Sequence, residues 1–278
     1  MTTNLTSTFT PTFLQKLLGR GYKWWYIATF FMRSAGSSLP GFIIQQSSDI
    51  IQILLIVYIW LLNGSNSQII TYLVIGRIYK ALADTYFSET LGPEIISGEI
   101  TKHLILPQSY FKLSFFREIG KRLSFNLPRA AIYLIVIAIY FKNIDWNHFT
   151  FISLGGLLII LPVTFVSTFF MEILVGSQAF FVNDKRTFQG LWKAYIGITG
   201  ALSGVLIPLD KLPLYNEIIQ FLPTSWLLHH PMQIYLGKYS PLETLYVFLG
   251  GITWCVVLYF LAKWVFKLGL KKNESVGL

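Results

Sequence analysis

Between Phe151 and Phe181 the chain runs for 31 residues with one charged side chain, Glu172. As a helix this stretch is roughly 46 Å long, against a bilayer hydrocarbon core of about 30 Å. A segment of that length and composition has to leave water. It tilts, kinks at Pro162 or projects beyond the membrane; residues 151–171 alone would cross, which puts Glu172 at the inner boundary. The rest of the chain agrees. Apolar residues make up 54% and charged residues 13%, about half the charge of a soluble domain. A soluble fold of this size could not hide so much apolar surface. The expected class is an all-α polytopic membrane protein, a single transmembrane domain over 1–278.

Six stretches read as transmembrane spans: 42–62, 68–87, 123–141, 151–181, 191–209 and 242–261. The second is the weakest, because it holds Arg77, Lys80 and Asp84. On a helix these three share a face, with Lys80 and Asp84 as an i,i+4 pair. Without this crossing, the basic N-terminus and the basic block from Lys102 to Arg129 would lie on opposite sides of the membrane. With six crossings only Lys142, Lys211 and Lys238 fall outside, and both termini are cytoplasmic. The net charge of +9 then follows the positive-inside rule and meets anionic lipid; no nucleic acid is expected as a partner. The polar, Thr-rich residues 1–11 do not read as a signal peptide.

Residues 12–34 mix leucines, basic residues and Trp24–Trp25–Tyr26, which suits a helix lying in the inner headgroup layer; the alternative is a plain juxtamembrane linker. Segment 88–122 is too long for a turn between spans and mixes acids, bases and a short apolar run closed by Pro107. On composition it offers an element to a cytoplasmic partner or rests on anionic lipid. In the loop 182–189, Asp184 or Thr187 could cap the next helix. Segment 208–241 carries prolines 208, 213, 223, 231 and 241 around two apolar stretches, 214–222 and 226–236. Each is too short to cross. Two short helices dipping back into the outer leaflet are expected, covered by protein. Gly200-x-x-x-Gly204 offers a small-residue face for helix packing or a dimer seam.

Asp49, with Gln45 one turn before it, interrupts the first span. A carboxylate at that depth is a candidate for the translocation path, as counter-ion to a cationic substrate. The plainer account is pairing with Arg33, Arg77 or Lys80, or a place at the inner interface. Glu172 is read as a boundary residue. The many aromatic residues could line a cavity for flat or cationic compounds, although packing and interfacial anchoring account for them more simply. The chain has no P-loop, no H-E-x-x-H, no G-x-S-x-G and no paired-Cys zinc spacing. Its one cysteine, Cys255, lies in an apolar run. His229 and His230 are neighbours that point about 100° apart on a helix, and His103 and His148 fall on opposite sides of the membrane. Neither a metal site nor a catalytic residue is expected.

Three motifs in order carry a resemblance. Ile96–Pro107 (ISGEITKHLILP), Gln178–Val182 (QAFFV), and Ser203–Pro213 (SGVLIPLDKLP) followed by Phe221–Pro223 (FLP) and His230–Gly237 (HPMQIYLG) are similar to segments of ABC-2 type transporter permeases. The chain most resembles the small six-span bacterial branch that includes drug and viologen exporter subunits. Phe180–Phe181 stands where that family often has Phe-Trp. The resemblance implies a permease without its own ATPase site, driven by a separate cytoplasmic ATP-binding cassette ATPase that binds ATP and Mg. It implies a second permease subunit, as homodimer or heterodimer, and a place in the bacterial inner membrane. Ser97, Gly98, Glu99 and His103 would form the ATPase-coupling element within 88–122. The expected activity is export of a hydrophobic or amphipathic compound, cations among them; an ion-coupled secondary transporter is the alternative.

Overall fold

The structure is a computed structural model that describes residues 28–30, 39–64, 66–105, 107–182, 184–215 and 217–275. Among them every regular element is helical. The expected helix at 12–34 lies outside the described residues except for 28–30, a helical turn whose buried Ala28 backs onto Gly120.

Helix α1 (Leu39–Leu62) is followed by α2 (Ser67–Ala83). Asn66 caps α2, its side-chain oxygen accepting from the Ile69 amide at 3.2 Å. The helix stops at Asp84, short of the expected 87, because Asp84 turns extended while its amide bonds the Lys80 carbonyl. Two short helices, α3 (Ser88–Ile96) and α4 (Thr101–Leu104), form a hairpin. Next, α5 (Tyr110–Ile139) starts well before the expected 123. Tyr110, Ser114, Arg117, Asn126, Arg129, Tyr133 and Val136 are buried on it. Four of these seven are polar or charged, so a search for apolar runs misses the first part of the helix.

Helix α6 (Phe151–Gly176) is capped by Thr150, which accepts from the Ser153 amide at 3.2 Å, and continues as a 3₁₀ turn to Phe180. Helix α7 (Lys185–Leu202) replaces the expected 191–209. It starts early because Asp184 accepts from the Thr187 amide at 2.9 Å and the Thr187 hydroxyl at 2.7 Å. It ends early because Gly204 takes φ +91°, which favours glycine. Gly200 and Gly204 therefore do not share a helix face. In 208–241 only the second apolar stretch yields an α-helix, α8 (His229–Tyr235). The first does not: Leu214 sits at φ +63°, and 3₁₀ turns at 209–211, 219–221 and 223–227 carry the chain instead. Helix α9 (Pro241–Ser275) opens with a capping box: the Ser240 amide donates to Glu243 at 2.7 Å and the Glu243 amide to Ser240 Oγ at 3.3 Å.

Helices α6 and α9 pack along each other, α2 lies between α1 and α5, and α8 crosses α6. One core cluster, around Val57, Tyr72, Val136, Ile160 and Met232, lies towards the 208–241 end; the other, around Phe87, Leu91, Phe169, Phe180 and Phe266, lies towards the α3–α4 hairpin. The outward faces are apolar: Phe151 is 95% and Ile152 88% exposed, with Leu245 and Phe260 exposed on α9. The inward face of α6 carries buried Thr164, Ser167, Thr168 and Glu172. Polar side chains in and apolar ones out is the pattern of a chain whose solvent is lipid. Residues 151–180 and 241–272 are long and apolar enough to cross a membrane. The chain is a helical membrane protein.

Candidate functional site

A cavity of about 390 Å³ opens between α2, α5, α6 and α7. The face predicted for the second span supplies part of its charge: Arg77, Lys80 and Asp84 all line it. Arg129 and Tyr133 enter from α5, Thr168 and Glu172 from α6, and Gln52 from α1. Helix α7 and the residues after it add Tyr195, Ile196, Thr199, Val205 and Leu206, and Leu227 completes the apolar part of the lining.

Both carboxylates are engaged. Lys80 Nζ donates to Asp84 Oδ1 at 2.6 Å, and the Tyr86 hydroxyl to Asp84 Oδ2 at 3.3 Å. Glu172 is buried and accepts from the Ser88 amide at 3.1 Å and the Ser88 hydroxyl; Tyr195 lines the same cavity. The Tyr86 ring faces two guanidinium groups, Arg122 at 4.8 Å and Arg129 at 5.6 Å, and Arg129 donates to the Tyr86 hydroxyl at 3.3 Å. Arg77 differs, for its Nη2 donates to the neutral Gln52 Oε1 at 2.8 Å.

The α3–α4 hairpin hangs below this cavity. Gly98 turns it at φ +75°. The Gly98 amide bonds the Ile95 carbonyl at 3.1 Å and the Ile100 amide the Glu94 carbonyl at 3.0 Å, closing the end of α3. Glu94 then ties the hairpin to α5 through a two-armed pair with Arg117 at 3.0 and 3.4 Å. The Tyr110 hydroxyl adds a bond at 3.4 Å, and His103 Nε2 comes within 3.9 Å. Beyond this bracket the tip is open: Ser97, Glu99, Thr101 and Lys102 are exposed, and Ile105 is 82% exposed.

At the other end a buried network fastens the 208–241 segment. His229 Nδ1 accepts from the Leu209 amide at 3.3 Å, so its Nε2–H faces the Tyr215 hydroxyl at 2.9 Å. His230 Nε2–H donates to the Gln220 carbonyl at 2.9 Å, and its Nδ1 accepts from Tyr239 at 2.8 Å. Burial pushes both imidazoles down, to about 3 for His229 and about 4 for His230. Among the described residues no group of His, Cys, Asp and Glu could hold a metal ion.

Of the residues singled out in the sequence, Gly98, Glu99, Ser97 and His103 share the hairpin, with His103 turned back towards Glu94. Gly200 lines the cavity with open space beside it, and Gly204 sits off the helix under the Tyr72 hydroxyl. The side chains of Asp49 and Gln45 lie outside the described ones; Gln52, one turn on from Asp49, reaches the cavity. The structure adds Tyr86, Arg129, Glu172 and Tyr195 to the cavity lining and Glu94 to the hairpin, none of which the sequence analysis offered as a site residue. The signal for Glu172 was its place on one helical face with Thr168 and Thr164.

The model of the family described as ABC-2 family transporter protein matches residues 42–277. No curated protein matches the chain. Members of this family are membrane subunits that associate with an ATP-binding cassette ATPase. The chain belongs to the ABC-2 transporter family, as the transmembrane subunit of an ATP-binding cassette transporter.

Proposed function

We propose that this subunit crosses the bacterial inner membrane six times, through α1, α2, α5, α6, α7 and α9, with both termini in the cytoplasm. It exports a hydrophobic or amphipathic compound through the cavity. A separate cytoplasmic ATPase binds ATP and Mg and drives it, and a second permease subunit, identical or related, completes the pathway within the lipid.

The observation that carries this reading is the hairpin's attachment. Its exposed tip, Ser97–Gly98–Glu99 and Lys102, suits a protein partner, while its base is fixed to two cavity walls. Glu94 holds α5 through Arg117, and Ser88 holds α6 through Glu172. A push at the tip moves both walls, because packed helices shift as rigid bodies. ATP binding and release at the partner then alternate two cavity states, each favoured by its own ligand. His103, beside Glu94, positions the hairpin rather than meeting the partner.

Co-purification tests this. The tagged chain, gently extracted from its host, is expected to bring a P-loop ATPase, and the pair Gly98→Arg and Glu99→Arg to release it. A stable complex without an ATPase in several detergents would overturn the reading.

A further inference from the structure

Arg77 is one of three described cations that line the cavity, with Lys80 and Arg129. Ten residues along α2 from Ser67, it lies roughly 15 Å from the start of that helix, deep within the span proposed above. A guanidinium at that depth is costly and marks a functional position. The other two differ in their partners: Lys80 pairs with Asp84, and Arg129 donates to the Tyr86 hydroxyl and lies over its ring. Arg77 has Gln52. A glutamine oxygen satisfies one donor and supplies no charge, while the two described carboxylates of the cavity, Asp84 and Glu172, are held by Lys80 and Ser88. Its planar fork fits a carboxylate or a phosphate through two parallel bonds. The same cavity is lined by the apolar side chains of Ile196, Val205, Leu206 and Leu227.

We propose that Arg77 receives the acidic head group of an anionic amphipathic substrate whose apolar part lies against Ile196, Val205, Leu206 and Leu227. This rests on the transport reading above and names its substrate class. It replaces the cationic substrate expected from Asp49 and the aromatic residues. Gln52 is the positioning residue that holds the fork towards the cavity.

The test uses the purified complex in phosphatidylcholine nanodiscs and two dansyl probes with the same undecyl tail, one ending in carboxylate and one in trimethylammonium. A charge-assisted bidentate contact is worth enough for the carboxylate probe to bind about tenfold tighter. Arg77→Gln is expected to bring the two probes to parity, and Arg77→Lys to keep part of the preference, with unchanged size-exclusion profiles showing that the fold survives. Equal or tighter binding of the ammonium probe, or an unchanged preference in Arg77→Gln, would overturn the proposal. Adding phosphatidylglycerol to the discs separates two sources of the anion. Competition assigns the site to a lipid head group, and its absence to a free amphiphile. Failure of the transport reading shows elsewhere, as the lack of an ATPase in the wild-type complex, and leaves the probe titration readable.

Discussion

At the scale of single residues, Glu94 and the histidines at 229 and 230 carry the sharpest consequences. The Glu94 and Arg117 side chains are only 13% and 7% exposed. Removing one partner of such a pair strands a charge away from water. Arg117→Met is therefore expected to cost about 3 kcal/mol, read as a lower unfolding temperature and a weaker hold on the ATPase. Glu94→Leu in the same chain should restore part of the unfolding temperature, since an apolar pair leaves nothing unpaired, without restoring the coupling. The histidines predict a pH dependence. Both are held neutral in the fold, with depressed pKa values near 3 and 4, while the unfolded chain takes up these protons near 6.5. Their contribution is complete above about pH 6.5 and is lost as pH falls towards those values, at up to about 1.4 kcal/mol per unit for each. The charged pair beside them, Asp210 and Lys238 at 3.7 Å, is partly exposed and adds little. Unfolding temperature should fall between pH 7 and pH 5 and fall less in His230→Gln; equal slopes in the two proteins would refute this.

Among the elements, the α3–α4 hairpin depends on one backbone angle. A Cβ on Gly98 would meet no atom within 4 Å, so substitution there tests the φ of +75° with no clash. Gly98→Ala is expected to cost about 1 kcal/mol. Gly98→Asn should cost less, because asparagine tolerates the left-handed region. The order of the unfolding temperatures, glycine above asparagine above alanine, checks it; alanine equal to glycine would mean that the turn is not held in this form. Element boundaries were legible where a cap or breaker was written locally. Asp184, marked as a possible cap, does start α7. They were not legible where burial is polar. Helix α5 begins at Tyr110 because Ser114, Arg117 and Glu118 find partners inside the protein, which an apolar-run search scores as loop. The cavity shows the same division. One face of Arg77, Lys80 and Asp84 follows from their spacing alone. The meeting of that face with Arg129, Glu172 and Tyr195 depends on how α5, α6 and α7 pack, and no local pattern records it.

For the whole molecule, the solvent decides the arrangement, and side of access is the quantity to measure. Exposed apolar side chains cover α1, α5, α6 and α9, as at Leu55, Leu134, Leu158 and Val256. So large an apolar surface needs lipid against it. Six crossings put Lys142 and Lys238 on the outer face and Lys102, Lys185 and Lys271 on the inner one, and all five positions are exposed. The single cysteine makes a clean background. Cys255 is half-buried, with Sγ 3.1 Å from Ser167 Oγ, and serine keeps that contact. In a Cys255→Ser chain, cysteines at 142 and 238 should react with a membrane-impermeant maleimide in intact cells. Cysteines at 102, 185 and 271 should react only after lysis. The informative comparison is 102 against 142, because α5 alone separates them. Labelling of both from one side would mean that α5 does not cross. The coupling hairpin and the loop that Asp145 opens would then share a compartment, and the ATPase could not reach the hairpin as proposed. Labelling from opposite sides places the hairpin in the cytoplasm with the basic residues.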